Sequence, residues 1–185
     1  MKICIVSDSH DNRFLLAAAV KDAKQRGAEA VLHCGDVVAP TTLRILNPIG
    51  LPVHVIHGNN MGDTYAMSTL SQDPESVIQY HGQDAGLTLA ERRIFIVHYP
   101  HYARAMATSA DWDLVCCGHD HRATIDYIRN IDNQETLFIN PGTVGGVGAA
   151  PTYVMGDLSN MHFDIFDVPV DESLAVNRKP VTVHK

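Results

Sequence analysis

Five apolar, strand-like runs in this chain each end in a polar segment, and this recurrence restricts the folds the chain can adopt. The runs are residues 3–6, 30–34, 53–57, 93–97 and 114–117. Helical spacing of apolar residues separates the first two runs at residues 14–26, and a second helical signal at residues 41–46 ends at Asn47-Pro48. Strand, loop and helix in this order predict an α/β fold with a largely parallel sheet at its start.

The second half of the chain is richer in strands. Strands are predicted at residues 77–80, 87–90, 93–98, 114–117, 123–129, 136–139, 153–158 and 162–166. Helical patterns remain at residues 64–70 and 102–109. So many strands in one domain predict two sheets packed face to face with helices outside. We expect the domain to span residues 1–167, with residues 168–185 as a loosely docked tail.

The polar residues at the strand ends have a common chemistry. They are Asp8, His10, Asp36, Asn59, His98, His119 and His121. Side chains two residues apart in an extended chain point the same way, so each Asp-x-His or His-x-His pair can reach one cavity. Ligands of α/β sheets gather at the carboxyl ends of the strands. We therefore expect all of these residues to meet at one site.

This donor set is typical of transition-metal sites. Carboxylate, imidazole and amide donors without a thiolate suit Mn, Fe, Zn, Ni or Co, and the many histidines argue against Mg or Ca alone. The set is too large for one ion with open positions. Two divalent ions that share a bridging carboxylate fit better, and paired ions of this kind catalyse phosphoryl displacement.

Composition excludes some functions and permits others. The net charge is −7, with 14 Lys and Arg against 21 Asp and Glu, which argues against a long nucleic-acid partner. A small phosphate ester remains compatible with this balance, because bound metal ions would supply local positive charge. No apolar run approaches the roughly 20 residues of a membrane span, and the apolar start is too short for a signal peptide. We predict a cytoplasmic protein without a membrane partner.

The four cysteines are predicted to be free, buried thiols. Cys4, Cys34, Cys116 and Cys117 each lie inside an apolar run, whereas a secreted disulfide framework places cysteines in the loops of a smaller chain. Adjacent Cys116 and Cys117 should point to opposite faces of their strand.

In its order of motifs the chain resembles the calcineurin-like metallophosphoesterase superfamily. The motifs are Asp8-x-His10, Gly35-Asp36, Gly58-Asn59, His98 and Gly118-His119-x-His121. The short length and residues 139–143 resemble its small bacterial and archaeal phosphodiesterase branch. The resemblance covers about residues 1–158 and implies a four-layer αββα sandwich of two mixed sheets flanked by helices, with the active site at the carboxyl ends of the strands.

The resemblance also implies roles for the site residues. One metal would be held by Asp8, His10 and His121, and manganese is favoured for the pair. The other metal would take Asn59, His98 and His119, with Asp36 bridging both. A hydroxide between the metals would attack phosphorus, and Asn59 would orient the phosphate. The implied catalytic residues are Asn59, Asp36 and His98.

The chain departs from the family pattern at two places. Many members carry a histidine after the asparagine as general acid, and here Asn60 stands there, so about 10²- to 10⁴-fold of rate assistance is missing. Tyr99-Pro100-His101 follows His98, where the family often has glycine. We expect either a preference for good leaving groups or a substitute proton donor. His101 is expected before His57, which should be buried in its strand.

Four residues are further candidates for substrate contact. They are Asn60, His101, Asn140 and Arg13. The glycine-rich residues 142–150 lack the ending of a phosphate-binding P-loop and are expected to form a turn near the metals.

The favoured function is a metal-dependent phosphodiesterase acting on small esters or nucleotides. A phosphomonoesterase or nucleotide pyrophosphatase could use the same site. A metal-dependent nuclease is disfavoured by the acidic balance. A protein-interaction scaffold is the alternative of a different class, since the retromer scaffold subunit resembles these enzymes. Association into a homo-oligomer stays open.

Overall fold

Eleven β-strands, three α-helices and one 3₁₀ helix form residues 1–169, the part of the chain that the computed structural model describes. The strands are β1 Lys2–Val6, β2 Ala30–His33, β3 Val53–Val55, β4 Ile78–Tyr80, β5 Asp84–Leu89, β6 Arg92–Val97, β7 Leu114–Cys116, β8 Ala123–Arg129, β9 Glu135–Pro141, β10 Thr152–Asp157 and β11 His162–Asp167. The helices are α1 Arg13–Gln25, α2 Thr64–Gln72, α3 Pro100–Ala107 and a 3₁₀ helix Pro40–Ile49. Each predicted strand and helix has a counterpart among them.

The strands form two mixed sheets, as predicted. One sheet has the order β11-β10-β1-β2-β3-β4, and β1 to β4 pair in parallel. The other has the order β5-β6-β7-β9-β8, in which β6, β7 and β9 are parallel. The helices between β1, β2, β3 and β4 are the crossover connections that parallel pairing requires.

Three buried apolar layers show that the chain is a four-layer αββα sandwich. Along β1, Ile3 and Ile5 face the second sheet, whereas Cys4 and Val6 face the layer that contains α1. A third layer packs α3 against the outer face of the second sheet, through residues such as Ala103 and Phe138. Because both faces of β1 are covered, the strand is apolar throughout rather than alternating.

The cysteine prediction is confirmed. All four thiols are free and buried. Cys116 lies between the two sheets, whereas Cys117 lies in the outer layer beside α3, so the two side chains point to opposite faces.

Two predicted boundaries differ from the structure. The helix expected to end at Asn47-Pro48 is a 3₁₀ helix that continues through Pro48 to Ile49. The fixed φ of proline lies within the 3₁₀ range, so the ring does not end this helix. Gly50, with φ of 75°, ends it and donates its N–H to Leu46 O.

At the carboxyl end, the first residue assigned to the tail belongs to the core. Val168 is 3 % exposed and donates its N–H to Pro151 O at 2.9 Å. The rest of the predicted tail, residues 170–185, lies outside the described residues. Within the described part of the chain, none of the helices combines the length and hydropathy of a membrane span.

Candidate metal centre

The loops after β1, β2, β3, β6 and β7 meet at one edge of the sandwich, where backbone hydrogen bonds tie them together. Asp8 N donates to Gly35 O at 2.9 Å, and His10 N donates to Asp36 O at 3.0 Å. In the second sheet, Gly118 N donates to His98 O at 2.9 Å. The candidate ligands therefore stand on loops whose relative positions are set by main-chain contacts.

One half of the site is built from the first and last of these loops. Asp8 is fully buried, and its Oδ1 lies 3.7 Å from His10 Nε2 and 3.2 Å from His121 Nε2. The two imidazole Nε2 atoms are 3.2 Å apart. These three residues form a group whose donor atoms lie within 4.8 Å of one another.

The other half contains Asp36, Asn59, His98 and His119. His98 Nε2 lies 3.4 Å from Asp36 Oδ1 and 3.1 Å from Asn59 Oδ1. The same amide oxygen is 2.8 Å from His119 Nδ1. Asp36 Oδ2 lies 3.8 Å from His10 Nε2, so this carboxylate stands between the two halves. The structure thus brings all seven predicted ligands together.

Two of the histidines are held with Nε2 facing the site. His98 Nδ1 lies 2.8 Å from Cys34 O, and His121 Nδ1 lies 2.6 Å from Val147 O. A carbonyl oxygen only accepts, so Nδ1 carries a proton in each ring, and the neutral form of each ring has its Nε2 lone pair available for a metal.

The pKa values of Asp36 and His98 are both shifted from their usual values. Burial alone would raise the pKa of Asp36, but hydrogen bonds from His98 and from Asn60 hold it well below its usual value. Burial alone would lower the pKa of His98, but Asp36 and the Cys34 carbonyl raise it. The site therefore attracts a proton, and metal ions compete with protons for such ligands.

A buried oxygen without a donor indicates a place for a cation. Within the described part of the chain, Asp8 Oδ1 has no hydrogen-bond partner, whereas its Oδ2 accepts from His119 N at 3.0 Å. A buried carboxylate oxygen left unpaired costs considerable free energy. Asp8 also forms a second group with Asp36 and His98, whose donor atoms lie within 4.8 Å of one another. Residues and geometry fit divalent metal ions.

The backbone is strained at most of the candidate ligands. Positive φ angles are found at Asp8 (55°), His10 (42°), Asp36 (56°), His119 (77°) and His121 (59°). Such left-handed conformations in residues other than glycine cost of order 1–3 kcal/mol each, and they cluster at functional sites. The surrounding contacts therefore hold the ligand loops in conformations that the chain would not adopt alone.

Close packing explains the glycine before Asn59. A Cβ on Gly58 would lie 2.1 Å from Asp36 Oδ1 and 2.7 Å from His98 Nε2. Only glycine allows the backbone to pass this near the two side chains.

Two of the residues proposed for substrate contact bind the protein instead. Asn60 donates to Asp36 through its backbone N–H (2.9 Å) and its Nδ2 (2.5 Å). Asn140 is buried and donates from Nδ2 to Gly118 O (2.9 Å) and to Asp120 Oδ1 (2.7 Å). Asn140 thereby fastens the loop that carries His119 and His121.

The other two residues proposed for substrate contact, His101 and Arg13, are exposed. His101 packs its ring against Tyr99 and Tyr102, with centroids 5.6 and 4.2 Å away. Arg13 at the start of α1 lies over the Phe14 ring, 5.0 Å from its centroid. The described contacts of both residues join them to neighbours in sequence rather than to the candidate ligands.

The expectation that His57 is buried in its strand is wrong. β3 ends at Val55, so His57 lies in the following loop, where it is only partly buried. Its Nδ1 lies 2.5 Å from Tyr80 Oη, and its ring lines a cleft that also contains Asn59 and His98. Burial lowers the pKa of His57.

Sequence reasoning missed a buried histidine behind the site. His33 is fully buried; its Nδ1 accepts from Gly35 N at 3.3 Å, and its Nε2 lies 3.1 Å from Ser9 Oγ. It thus bridges the Asp8–His10 and Gly35-Asp36 loops. Its position at the end of β2, between an apolar run and Gly35-Asp36, was the only signal in the sequence.

Comparison with known proteins agrees with this geometry. Residues 1–161 match the model of the calcineurin-like phosphoesterase superfamily domain. The chain belongs to the calcineurin-like phosphoesterase superfamily. It is 26 % identical over 150 residues to phosphodiesterase MJ0936 of Methanocaldococcus jannaschii. The aligned residues cover 79 % of this chain and 86 % of that protein.

Solved structures show the same fold. An archaeal phosphodiesterase superposes with a TM-score of 0.79 at 24 % identity, covering 90 % of this chain and 99 % of that one. Vps29 of Entamoeba histolytica, solved in complex with Zn²⁺, superposes with a TM-score of 0.58 at 15 % identity, covering 91 % of this chain and all of that one. Both similarities are of fold and do not by themselves define an activity.

Proposed function

We propose that this protein is a cytoplasmic phosphodiesterase that hydrolyses small phosphate diesters or nucleotides with two divalent transition-metal ions. The observation that supports it best is the convergence of four histidines, two aspartates and one asparagine at one edge of the sandwich, where Asp8 Oδ1 has no hydrogen-bond partner among the described residues. Membership of a phosphoesterase family and likeness to a named phosphodiesterase agree with it. The domain would span residues 1–167 together with Val168, which packs into its core.

In this proposal the seven residues are divided between two ions. Asp8, His10 and His121 would hold the first ion, and Asn59, His98 and His119 would hold the second. Asp36, whose two oxygens face His10 and His98, would bridge them. The ions, manganese by preference and Fe, Zn, Ni or Co as alternatives, would activate water for attack on phosphorus and stabilise the charge of the transition state.

The chain's own residues have separate tasks. Carbonyls of Cys34 and Val147 hold His98 and His121 in the tautomer that exposes Nε2. The side-chain amide of Asn59 is the group proposed to orient the phosphate. Asn60 steadies the Asp36 carboxylate and cannot donate a proton to a leaving group, since an amide is not a general acid.

We propose that the enzyme therefore depends strongly on the leaving group. Without a general acid, expulsion of an alkoxide is slow, whereas a phenolate of low pKa leaves unaided. Rates for a series of aryl phosphodiesters should fall steeply as leaving-group pKa rises. A flat series would mean that a proton donor is present, with His57, which lines the cleft, as the first residue to replace.

The experiment that tests the function compares bis(p-nitrophenyl) phosphate with p-nitrophenyl phosphate. The purified full chain is assayed after chelation and again with added Mn²⁺, beside an Asp36→Asn variant. We expect Mn²⁺ to restore diester hydrolysis in the natural sequence and not in the variant. Hydrolysis of the monoester alone would make the protein a phosphomonoesterase, and a nucleotide pyrophosphate substrate would test the pyrophosphatase alternative.

A protein that binds the metal but hydrolyses none of these substrates would overturn the proposal. The scaffold alternative would then take its place, since the fold is shared with Vps29. The presence of suitable side chains at all seven candidate ligand positions argues against that outcome.

A further inference from the structure

A cleft of about 320 Å³ opens directly beside the second half of the candidate metal centre. It is lined by His57, Gly58, Asn59, Met61, Gln83, Val97, His98 and Tyr99. Asn59 and His98 belong to both the cleft and the candidate ligand set, so a phosphate held at the centre would place one of its ester substituents at the cleft mouth. The volume is at the lower end of the roughly 300–1,000 Å³ of small-molecule sites.

The walls of the cleft combine apolar and aromatic surface with a few polar groups. Met61 is 57 % exposed. Tyr99 is partly buried, and its ring packs edge-on to His98 and His119, with centroids 5.4 and 4.8 Å away. Tyr80 Oη fixes Nδ1 of His57, which leaves Nε2 for a ligand. Aromatic side chains, a thioether and an amide form a surface on which a flat ring can stack while its edge is hydrogen-bonded.

The absence of charged side chains among the described lining residues further restricts the ligands that the cleft can bind. Among the described residues that line the cleft, none is Lys, Arg, Asp or Glu. A second phosphate group, as in a nucleotide pyrophosphate, would find no fixed cation there. An organic cation would find no carboxylate.

We propose that this cleft binds an uncharged, planar substituent of the phosphate ester, a nucleobase or an aryl ring, with Met61 and Gln83 as specificity-determining residues. The inference rests on the proposed function, because it places the phosphate at the metal centre. Met61 packs against the face of the ring, and the Gln83 amide binds the polar edge that a nucleobase has and an aryl ring lacks. The cleft thereby favours diesters over pyrophosphates.

The test measures binding with phosphonates, whose C–P bond a phosphoesterase does not cleave. Methylphosphonate, phenylphosphonate and the 5′-methylenephosphonate analogue of AMP are titrated calorimetrically into the Mn²⁺-loaded full chain. Burial of the ring should make the phenyl and adenosine compounds bind about tenfold more tightly than methylphosphonate. Met61→Ala should remove most of that preference for both rings. Gln83→Ala should weaken only the adenosine compound.

Matched controls separate the cleft from general effects. Gln134→Ala changes an exposed glutamine in the turn between β8 and β9 and should leave all three affinities unchanged. Methylphosphonate affinity should be the same in every variant, because this ligand reaches only the metal centre. Gln83→Arg should reverse the selectivity and tighten a ligand that carries a second phosphonate.

The outcomes are distinguishable. Equal affinity for the three compounds, or a ring preference that survives both Met61→Ala and Gln83→Ala, would overturn the cleft assignment while leaving the metal centre intact. Failure of even methylphosphonate to bind the metal-loaded protein would overturn the proposed function and the cleft assignment together. If Gln83→Ala weakened the binding of both the phenyl and the adenosine compound, the cleft would not distinguish aryl from nucleobase substituents. That result would contradict the proposed role of Gln83.

Discussion

Asn60 holds the carboxylate of Asp36 from two sides, with the backbone N–H on Oδ1 at 2.9 Å and Nδ2 on Oδ2 at 2.5 Å. The side-chain amide of Asn60 thus binds a candidate bridging ligand. In the proposed metal centre, Asn60 would therefore support a ligand and would not transfer a proton.

Asn60→Ala should therefore weaken metal binding, because it removes the Nδ2 hydrogen bond that orients Asp36. Loss of a residue that supports a metal ligand typically costs 10- to 100-fold in affinity, and we expect about tenfold because the backbone N–H remains. Calorimetric titration with Mn²⁺ measures the loss of metal affinity. Asn160→Ala is the matched control, since Asn160 lies in the turn between β10 and β11 and its side chain accepts a hydrogen bond from His162 N. Equal Mn²⁺ affinities in the two variants would contradict the supporting role.

Gly58→Ala should abolish metal binding. The added methyl group would overlap Asp36 Oδ1, at 2.1 Å, and displace the carboxylate or the His98 ring. Metal content after dialysis against Mn²⁺ should fall to background while the far-ultraviolet circular dichroism is retained.

The control for that substitution is Gly82→Ala. A Cβ at Gly82 would meet no described atom within 4 Å, but its φ is +86°. It should lower the free energy of unfolding by about 1 kcal/mol through backbone strain alone and leave the metal content unchanged. Full metal loading of Gly58→Ala would refute the steric argument.

His33→Leu should destabilise the folded protein. The apolar side chain would leave Gly35 N–H and Ser9 Oγ without partners in a buried place, at roughly 1–3 kcal/mol for each group. Urea unfolding in the presence of a chelator isolates this effect from metal binding. His162→Leu, at a histidine whose side chain is 75 % exposed, should change the stability by less than about 0.5 kcal/mol.

Stability of the chelated protein should fall as the pH decreases from about 6.5 to about 4. Burial and the neighbouring His81 lower the pKa of His54 to about 4 from its usual 6.5. Between these values the unfolded chain binds a proton that folded His54 does not, so the unfolding free energy rises with pH. Below that window the contribution is lost. Urea unfolding at pH 4.5, 5.5 and 7 should give a smaller dependence for His54→Asn, and an unchanged slope would contradict the assignment.

The elements and the ligand set were predictable because they follow from local patterns. β-Branched and apolar runs form buried strands, and parallel strands bring their carboxyl ends to one edge, so Asp8, Asp36 and Asn59 had to lie near one another. The roles of Asn60 and Asn140 were not predictable, since an amide at a strand end can bind a ligand or its own backbone. His57 was placed wrongly because β3 ends two residues before it, and strand boundaries are the weakest part of a sequence prediction.

The cleft depends on distant parts of the chain. Gln83 precedes β5, whereas Met61 follows the loop after β3, and the sequence contains no signal that joins them. Only the pairing of strands within two sheets, and the packing of those sheets, brings them together.

The positive φ angles at Asp8, His10, Asp36, His119 and His121 bear on how the protein would acquire its ions. Main-chain hydrogen bonds between neighbouring loops, such as Asp8 N to Gly35 O at 2.9 Å, fix the positions of these residues relative to one another. In the proposed metal centre, a scaffold fixed by main-chain contacts would present the same seven donors to whichever element enters it. The element found in the site would then depend on the supply of each metal as well as on its affinity for these donors.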